Sequence, residues 1–167
     1  MKSGPTGINW GCNGSSISEL AMVMYFEDIE IGKVRTAGPF ELTKEEIIEF
    51  AKKWDPLPFH IDEQAAMESV FGGFAASGSL RIAIANRLLY DMEPPAVIAA
   101  LAHEYSYPNP AMAGDSLHIE STNLEKTESK SQPDKRGTVR GETLLKNQNG
   151  LVVLEMKSLV MMEKRPT

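Results

Sequence analysis

Cysteine, basic charge and long apolar runs are all scarce in this sequence of 167 residues. Cys12 is the only cysteine, so an intrachain disulfide is excluded, which suits a reducing cytoplasm. The formal net charge is -6 and no basic stripe is present, so we expect no nucleic-acid partner. The longest apolar runs, at 96–102 and 151–154, fall far short of the roughly 20 residues that span a bilayer. We therefore expect a cytoplasmic protein with no membrane partner.

The division of the chain follows from its composition. Residues 1–23 are rich in Gly, Ser and Asn, and they lack both the charged start and the sustained apolar run of a signal peptide. We interpret this stretch as a flexible leader, an expression-derived segment or an over-long start. Hydrophobic residues make up 42% of the sequence, which is enough for one buried core at this length. We therefore predict a single domain over residues 24–167.

Helix and strand signals alternate in a way that predicts an α+β fold. A strand at Val34–Phe40 precedes a helix at 43–54, where Thr43 and Glu46 form a capping-box pattern. Pro56 stops that helix, because the residue before a proline avoids the α region. Asp62 is the expected N-cap of a short second helix.

The second half of the chain predicts one long helix followed by strands. The helix begins after Ser77-Gly78 and is apolar on nearly every side, which predicts a helix that is buried all round. Strands are expected at 96–107 and 116–129, and Asn149-Gly150 joins two further strands as a hairpin. A sheet that must bury such a helix can do so by curling around it.

A proline-flanked segment between the first two helices, WDPLPFHID, carries the most distinctive chemistry. Asp55 and His60 lie five residues apart, and Pro56 and Pro58 restrict the backbone between them. We read the segment as a stiff loop whose apolar residues, Trp54, Leu57, Phe59 and Ile61, shield the pair from water. An Asx turn beside an ordinary buried histidine remains the alternative.

This segment resembles the signature of the MaoC-like dehydratases and (R)-specific enoyl-CoA hydratases, D-x-N-P-L-H-x-D. Asp55, Pro58, His60 and Asp62 match it without gaps. FGGFAASGSL is similar to the family's F-x-x-x-I-x-H-G-M-L turn, and NPAMAGDSL to its P-V-x-x-G-D-x-L segment. The likeness covers residues 25–163. It implies the hot-dog fold, a curved antiparallel sheet wrapped around one long central helix.

The resemblance also implies roles for particular residues. Asp55 and His60 match the catalytic acid/base pair that activates water for addition to a 2-enoyl-CoA thioester. Gly78 matches the turn glycine whose backbone N–H polarises the thioester carbonyl, as a helix N-terminus is suited to do. Ser77 replaces a family histidine and is a candidate for substrate binding or for a helix cap. Asn86 replaces a family serine, and we expect its amide to orient Asp55 or to satisfy a backbone carbonyl.

Other readings of the same residues stay open. Leu57 stands where the family has Asn, which leaves room for a non-catalytic acyl-CoA-binding or regulatory protein. An acyl-CoA thioesterase would use Asp55 alone to direct water at the carbonyl carbon. A metal site is not expected, because His60-x-Asp62 has no second histidine or cysteine nearby. No cofactor is expected beyond the coenzyme A of the substrate.

Oligomerisation is expected from the architecture. A single wrapped sheet leaves an edge strand unpaired, and pairing with a second copy covers it. The resemblance implies a homodimer or a larger homo-oligomer with acyl-CoA as its ligand.

Overall fold

A computed structural model describes residues 23–166, so the predicted leader lies almost wholly outside the described residues. Its elements, in chain order, are β1 (Val34–Glu41), α1 (Lys44–Trp54), α2 (Pro58–Ile61), α3 (Glu63–Glu68), α4 (Gly78–Asp91), β2 (Val97–Ser106), β3 (Ser116–Glu128), β4 (Arg136–Lys146) and β5 (Val152–Glu163). Each predicted strand and helix is present within a few residues of its expected bounds. Within the described range, no helix is long and apolar enough to cross a bilayer.

The five strands form one antiparallel sheet in the order β1-β3-β4-β5-β2. Gly150 takes a φ of +77° in the β4–β5 connection, a conformation that glycine adopts without strain. The sheet packs against α4, so the predicted α+β arrangement of a sheet around a long helix is confirmed. β1 and β2 are the two edge strands.

Short capping contacts fix where the helices begin. The Thr43 side chain accepts a hydrogen bond from the Glu46 N–H at 3.1 Å. The Asp62 side chain accepts one from the Ala65 N–H at 2.8 Å. Each contact satisfies one of the N–H groups that a helix leaves unpaired at its start. The Asp62 cap is therefore confirmed, and so is the Thr43 half of the predicted capping box. Within residues 23–166, the Glu46 side chain makes no return bond to the Thr43 N–H.

The main core lies between one face of α4 and the sheet. Leu80, Ile84, Ala85 and Leu88 are each at most 4% exposed. They pack with Leu117, Ile119, Leu145, Val153 and Leu154 from the strands and with Leu42 and Ile47 from the α1 region. A smaller cluster holds the segment before β1 against β4 and β5 through Met24, Phe26, Ile29, Val139 and Met162.

The prediction that α4 is buried all round is wrong. Ser79, Ala83, Asn86 and Tyr90 recur at helical spacing along one exposed stripe. The sheet covers only the opposite side of the helix in one chain. The sequence did not indicate this amphipathicity, because alanine is small and occurs on both faces of the helix: Ala83 is exposed and Ala85 is buried.

Candidate active site

Asp55 is held at the C-terminal end of α1. Its backbone N–H donates to the Ala51 carbonyl at 2.9 Å, which closes the last turn of the helix. Its own carbonyl accepts from the Leu57 N–H at 2.8 Å, across Pro56. The chain therefore turns tightly, and the Asp55 side chain remains 31% exposed.

His60 lies on α2, not on an irregular loop, which corrects the prediction for this segment. Pro58 occupies the first turn of α2, where its missing N–H costs no hydrogen bond. His60 is 5% exposed, and its ring packs at 4.4 Å from the ring of Phe59. Along this single helical turn the chain passes from the exposed Pro58 to the buried His60, so the imidazole lies in the interior.

The hydrogen bond of the His60 ring decides which nitrogen carries the proton. Nδ1 lies 2.7 Å from the Ala75 carbonyl oxygen. A carbonyl oxygen only accepts, so Nδ1 must donate and the neutral ring leaves Nε2 as an acceptor. Nε2 lies 3.9 Å from Asp55 Oδ2, so the two side chains predicted as a pair face each other.

The 3.9 Å distance between Asp55 Oδ2 and His60 Nε2 is too long for a direct hydrogen bond. It suits an arrangement in which one donor lies between the two atoms and bonds to both. An ionised carboxylate and the bare Nε2 are both acceptors, and direct hydrogen bonds span about 2.7–3.2 Å. A water molecule has two protons and can donate to two acceptors at this separation. The geometry therefore suits the binding and activation of water between Asp55 and His60.

The apolar wall predicted around the pair is only partly present. Trp54 is 65% exposed and Leu57 is 45% exposed, while Phe59 and Ile61 are partly buried. Trp54 points away from the core, and the Lys53 ammonium lies 4.9 Å from its ring centre. Shielding of His60 comes instead from the ring of Phe59 and from the segment that contains Ala75.

Gly78 begins α4, three residues after the carbonyl that fixes His60. The Ser77 side chain is 2% exposed and accepts from the Leu80 N–H at 3.1 Å, so it acts as the helix cap. Within residues 23–166, the Gly78 N–H donates to no acceptor. It is a helix N-terminal donor beside the positive end of the helix dipole, which is suited to a developing negative charge.

Tyr107 covers Gly78 and was not anticipated from the sequence. A Cβ placed on Gly78 would lie 3.0 Å from Tyr107 Cζ and 3.1 Å from its hydroxyl oxygen. The guanidinium of Arg81 stacks 4.5 Å from the centre of the tyrosine ring. Tyr107 follows β2 in the chain, and no local pattern signals that it returns to the start of α4.

Arg81 is fixed by backbone carbonyls and not by a carboxylate. Its Nη1 donates to the carbonyls of Asn109 and Val153 at 3.0 and 2.9 Å. Burial lowers the pKa of the Arg81 guanidinium below its ordinary value. This side chain ties the start of α4 to the sheet, and the Tyr107 ring stacks on its guanidinium.

Asn86 makes neither of the two contacts expected of it. Within residues 23–166 its amide donates to neither Asp55 nor a backbone carbonyl. It lines a cavity of about 280 Å³ that also touches Leu89, Tyr90 and the strands. Asp55, His60 and Gly78 do not line this cavity, so Asn86 belongs to a second region farther along α4. No group of three or more His, Cys, Asp or Glu side chains that could hold a metal occurs in the described part of the chain.

Asp55 and His60 face each other across 3.9 Å, and the antiparallel sheet wraps around one long helix, which is the architecture of a hot-dog protein. The chain belongs to the MaoC-like family, because residues 28–143 match the family model described as MaoC like domain. The resemblance stated from the three sequence blocks is thereby confirmed. Membership supports hydratase or dehydratase activity in general terms.

Solved structures share both the fold and, for two of them, appreciable sequence identity. A MaoC-like dehydratase from Rhodospirillum rubrum is 39% identical, covers 86% of this chain and 99% of its own, and has a TM-score of 0.79. A monoamine oxidase regulatory protein from Archaeoglobus is 28% identical, with coverage of 86% and 97% and a TM-score of 0.76. The R-hydratase PhaJ1 of Pseudomonas aeruginosa, at 22% identity, coverage of 86% and 88% and a TM-score of 0.69, shares the fold.

One curated relative matches a shorter stretch. The uncharacterized protein YdeM of Bacillus subtilis is 34% identical over 65 residues. That alignment spans 39% of this chain and 46% of the length of the relative. It supports kinship without adding an activity.

Proposed function

We propose that this chain adds water reversibly to the 2,3 double bond of an enoyl-CoA and yields the 3-hydroxyacyl-CoA. The observation that carries the proposal is the 3.9 Å separation of Asp55 Oδ2 from His60 Nε2, with His60 Nδ1 already bonded to Ala75. Two acceptors at this distance hold one water with its oxygen free to attack. The Gly78 N–H is the proposed donor to the thioester carbonyl.

The proposed step balances as follows. An O–H bond of the water breaks, its proton goes to Asp55 or His60, and the oxygen bonds to C3 of the enoyl group. The electrons of the double bond move toward the thioester oxygen, where the Gly78 N–H stabilises the developing charge. C2 then takes a proton from the pair, so that one water is added in total.

The decisive test is a pair of near-isosteric substitutions. Asp55→Asn and His60→Gln should each lower kcat for loss of the enoyl-thioester ultraviolet absorbance by about 100-fold or more, since positioned acid–base groups contribute about 10²–10⁴-fold. Lys52→Gln, an exposed change on α1, is the matched control and should retain activity. If the native protein turns over no short, long or branched enoyl-CoA faster than these variants, the hydratase proposal is wrong.

Two other functions have distinct outcomes in the same assay. A thioesterase would release free coenzyme A thiol, which a thiol reagent detects, and would tolerate His60→Gln. A regulatory protein is favoured by the name given to the Archaeoglobus relative and by Leu57, which stands where the family has Asn. It would bind acyl-CoA without consuming it. The buried imidazole facing Asp55 favours hydration over both.

The proposed assembly is a homodimer formed through β2. This edge strand is exposed over most of its length, and Ile98 and Leu101 are 50% and 46% exposed. An edge with apolar side chains and unpaired backbone groups is a template for a second strand. The sheet order leaves β2 free on one side, so β2 of a second copy can extend the sheet.

A further inference from the structure

The cavity beside Asn86 has a mostly apolar lining, but it also contains several polar side chains that an alkyl chain would not require. It is an open groove beside the C-terminal half of α4, which contributes Asn86, Leu89 and Tyr90. Its other side is formed by residues of the sheet. Its volume of about 280 Å³ approaches the lower range of small-ligand pockets. The residues at the sheet side decide what the cavity accepts.

The inner face of the sheet changes from apolar to polar along β3. Leu117 and Ile119 are fully buried in the main core, whereas Ser121 and Asn123, at the next inward positions, line the cavity. Thr143 lies opposite Ser121 on β4, and its hydroxyl donates to the Ser121 oxygen at 3.0 Å. That bond leaves the proton of the Ser121 hydroxyl for another acceptor. Buried polar groups of this kind are costly beside hydrocarbon.

Among the described residues that line the cavity, Arg35 carries the only permanent charge. It lies on β1 directly opposite Ser121 and is half-buried. Its guanidinium contacts the Met24 sulfur, with Nη1 to Sδ at 3.2 Å, and a thioether is a weak acceptor. Within residues 23–166, no carboxylate lies within 4.0 Å of Arg35, whereas Arg87, Arg140 and Arg165 each have one.

The rest of the cavity lining contains no acidic side chain that would repel an anion, within the described residues. Within the described residues, the cavity touches no Asp or Glu, and His103 is its one other titratable group that can become cationic. A guanidinium has five N–H donors in a planar fork that binds a carboxylate through two parallel hydrogen bonds. The lining therefore complements an acyl group with an anionic end.

We propose that the cavity selects enoyl-CoA substrates whose acyl chain ends in a carboxylate, with Arg35 as the residue that binds it. The inference rests on the proposed hydratase function, because it names the substrate class of that reaction. Asn86 lies eight residues beyond Gly78, or about 12 Å along the helix axis at 1.5 Å per residue. In the proposed binding mode, an acyl chain that extends from Gly78 to this cavity places its far end there, and not the carbons next to the double bond.

The test compares enoyl-CoA pairs of equal chain length, one ending in a methyl group and the other in a carboxylate. The native protein should show the higher kcat/KM for the carboxylated member at the best length. Arg35→Met should reduce the ratio of the two kcat/KM values by about 10- to 100-fold, the effect of losing one charge-assisted pair. Arg35→Lys should retain part of the ratio, since lysine keeps the charge but lacks the planar fork. Arg140→Met, an exposed arginine on β4, should leave the ratio unchanged.

Calorimetric binding separates this inference from the proposed reaction. Saturated acyl-CoA thioesters with and without the terminal carboxylate bind without being hydrated. Carboxylate-dependent binding that Arg35→Met abolishes would support the cavity assignment even in a protein with no hydratase turnover. Hydration of both substrates with equal efficiency, and equal binding of both saturated thioesters, would overturn the assignment while the hydratase function stands. Thermal melting of Arg35→Met checks that the variant is folded.

Discussion

The substitution Gly78→Ala tests whether Gly78 is needed for the stability of the fold or for the chemical step. In Gly78→Ala the new Cβ would lie 3.0, 3.1 and 3.3 Å from three atoms of Tyr107. Optimal carbon contacts are about 3.5–4.0 Å, so the ring must move by a few tenths of an ångström. Tyr107 is 43% exposed and can make that movement at little cost.

The expected stability change is small. Gly78 does not have a positive φ, so alanine is compatible with its backbone. Replacing glycine at such a position gains about 0.4–1 kcal/mol through the unfolded state. The shift of Tyr107 offsets part of that gain, because the ring stacks on Arg81. The free energy of unfolding in urea should therefore stay within about 1 kcal/mol of the native value.

The expected loss of activity is large by comparison. The methyl group and the displaced ring crowd the N–H that is proposed to bind the thioester oxygen. Removal of one such donor costs about 10²–10³ in kcat, and we expect Gly78→Ala to approach the lower figure. The effect should appear in kcat more than in KM, because the charge develops only in the transition state.

The control is a second glycine in the same part of the chain. In Gly73→Ala the new Cβ would meet only the end of the Met112 side chain, at 3.4 Å, an ordinary contact. This variant should retain both stability and activity. A Gly78→Ala protein with native kcat would refute the carbonyl-binding role of Gly78, and a protein unfolded by the change would refute the assignment of Tyr107 as a yielding neighbour.

Three further changes test the helix cap, the small core and the edge strand. Ser77→Ala should reduce the free energy of unfolding by about 1 kcal/mol through loss of the cap of α4, with kcat nearly unchanged; a large loss of kcat at native stability would instead assign Ser77 to substrate. Gly137→Ala would overlap the ring of Phe26, which is 5% exposed, and should cost about 1–3 kcal/mol in urea denaturation; native stability would show that this cluster is loosely packed. Leu101→Glu on β2 should reduce the mass measured by light scattering to that of a monomer, whereas an unchanged oligomer would exclude β2 as the interface.

Local signals in the sequence predicted the elements well. Thr43 and Asp62 bond to N–H groups three residues away, so the bonds that begin α1 and α3 are short in sequence. Gly150 likewise acts within a single turn. Such contacts depend on neighbouring residues alone, and a pattern can therefore indicate them.

Features that depend on distant residues were not predictable in the same way. Tyr107, which follows β2, stacks on Arg81 and lies against Gly78, and both of these residues are at the start of α4. The contact therefore joins the two ends of the segment formed by α4 and β2. The Ser121–Thr143 bond joins residues 22 positions apart and depends on the β3–β4 register. The sequence shows serine and threonine at these places, but only the register shows that both face inward.

The pairing of Asp55 with His60 was predictable only in part, because one of its features is local in sequence and another depends on a distant residue. The family motif placed both residues, and their separation of five positions keeps them close in any compact turn. The tautomer of His60 depends on Ala75, which lies outside the motif and reaches the ring only through the fold. The motif therefore indicated which side chains meet, while the fold determines which nitrogen faces the carboxylate.

Helix α4 links the two functional regions while keeping them apart. Its first residue presents the N–H proposed to bind the carbonyl, and its C-terminal half borders the cavity that contains Arg35, about 12 Å farther along the axis. Packing of Leu80, Ile84 and Leu88 against the sheet fixes the helix along this length. In the proposed reaction, one rigid element therefore positions both the reacting end of the substrate and its distal end. Changes in the cavity lining can therefore alter which acyl group is accepted while the water-binding geometry of Asp55 and His60 is kept.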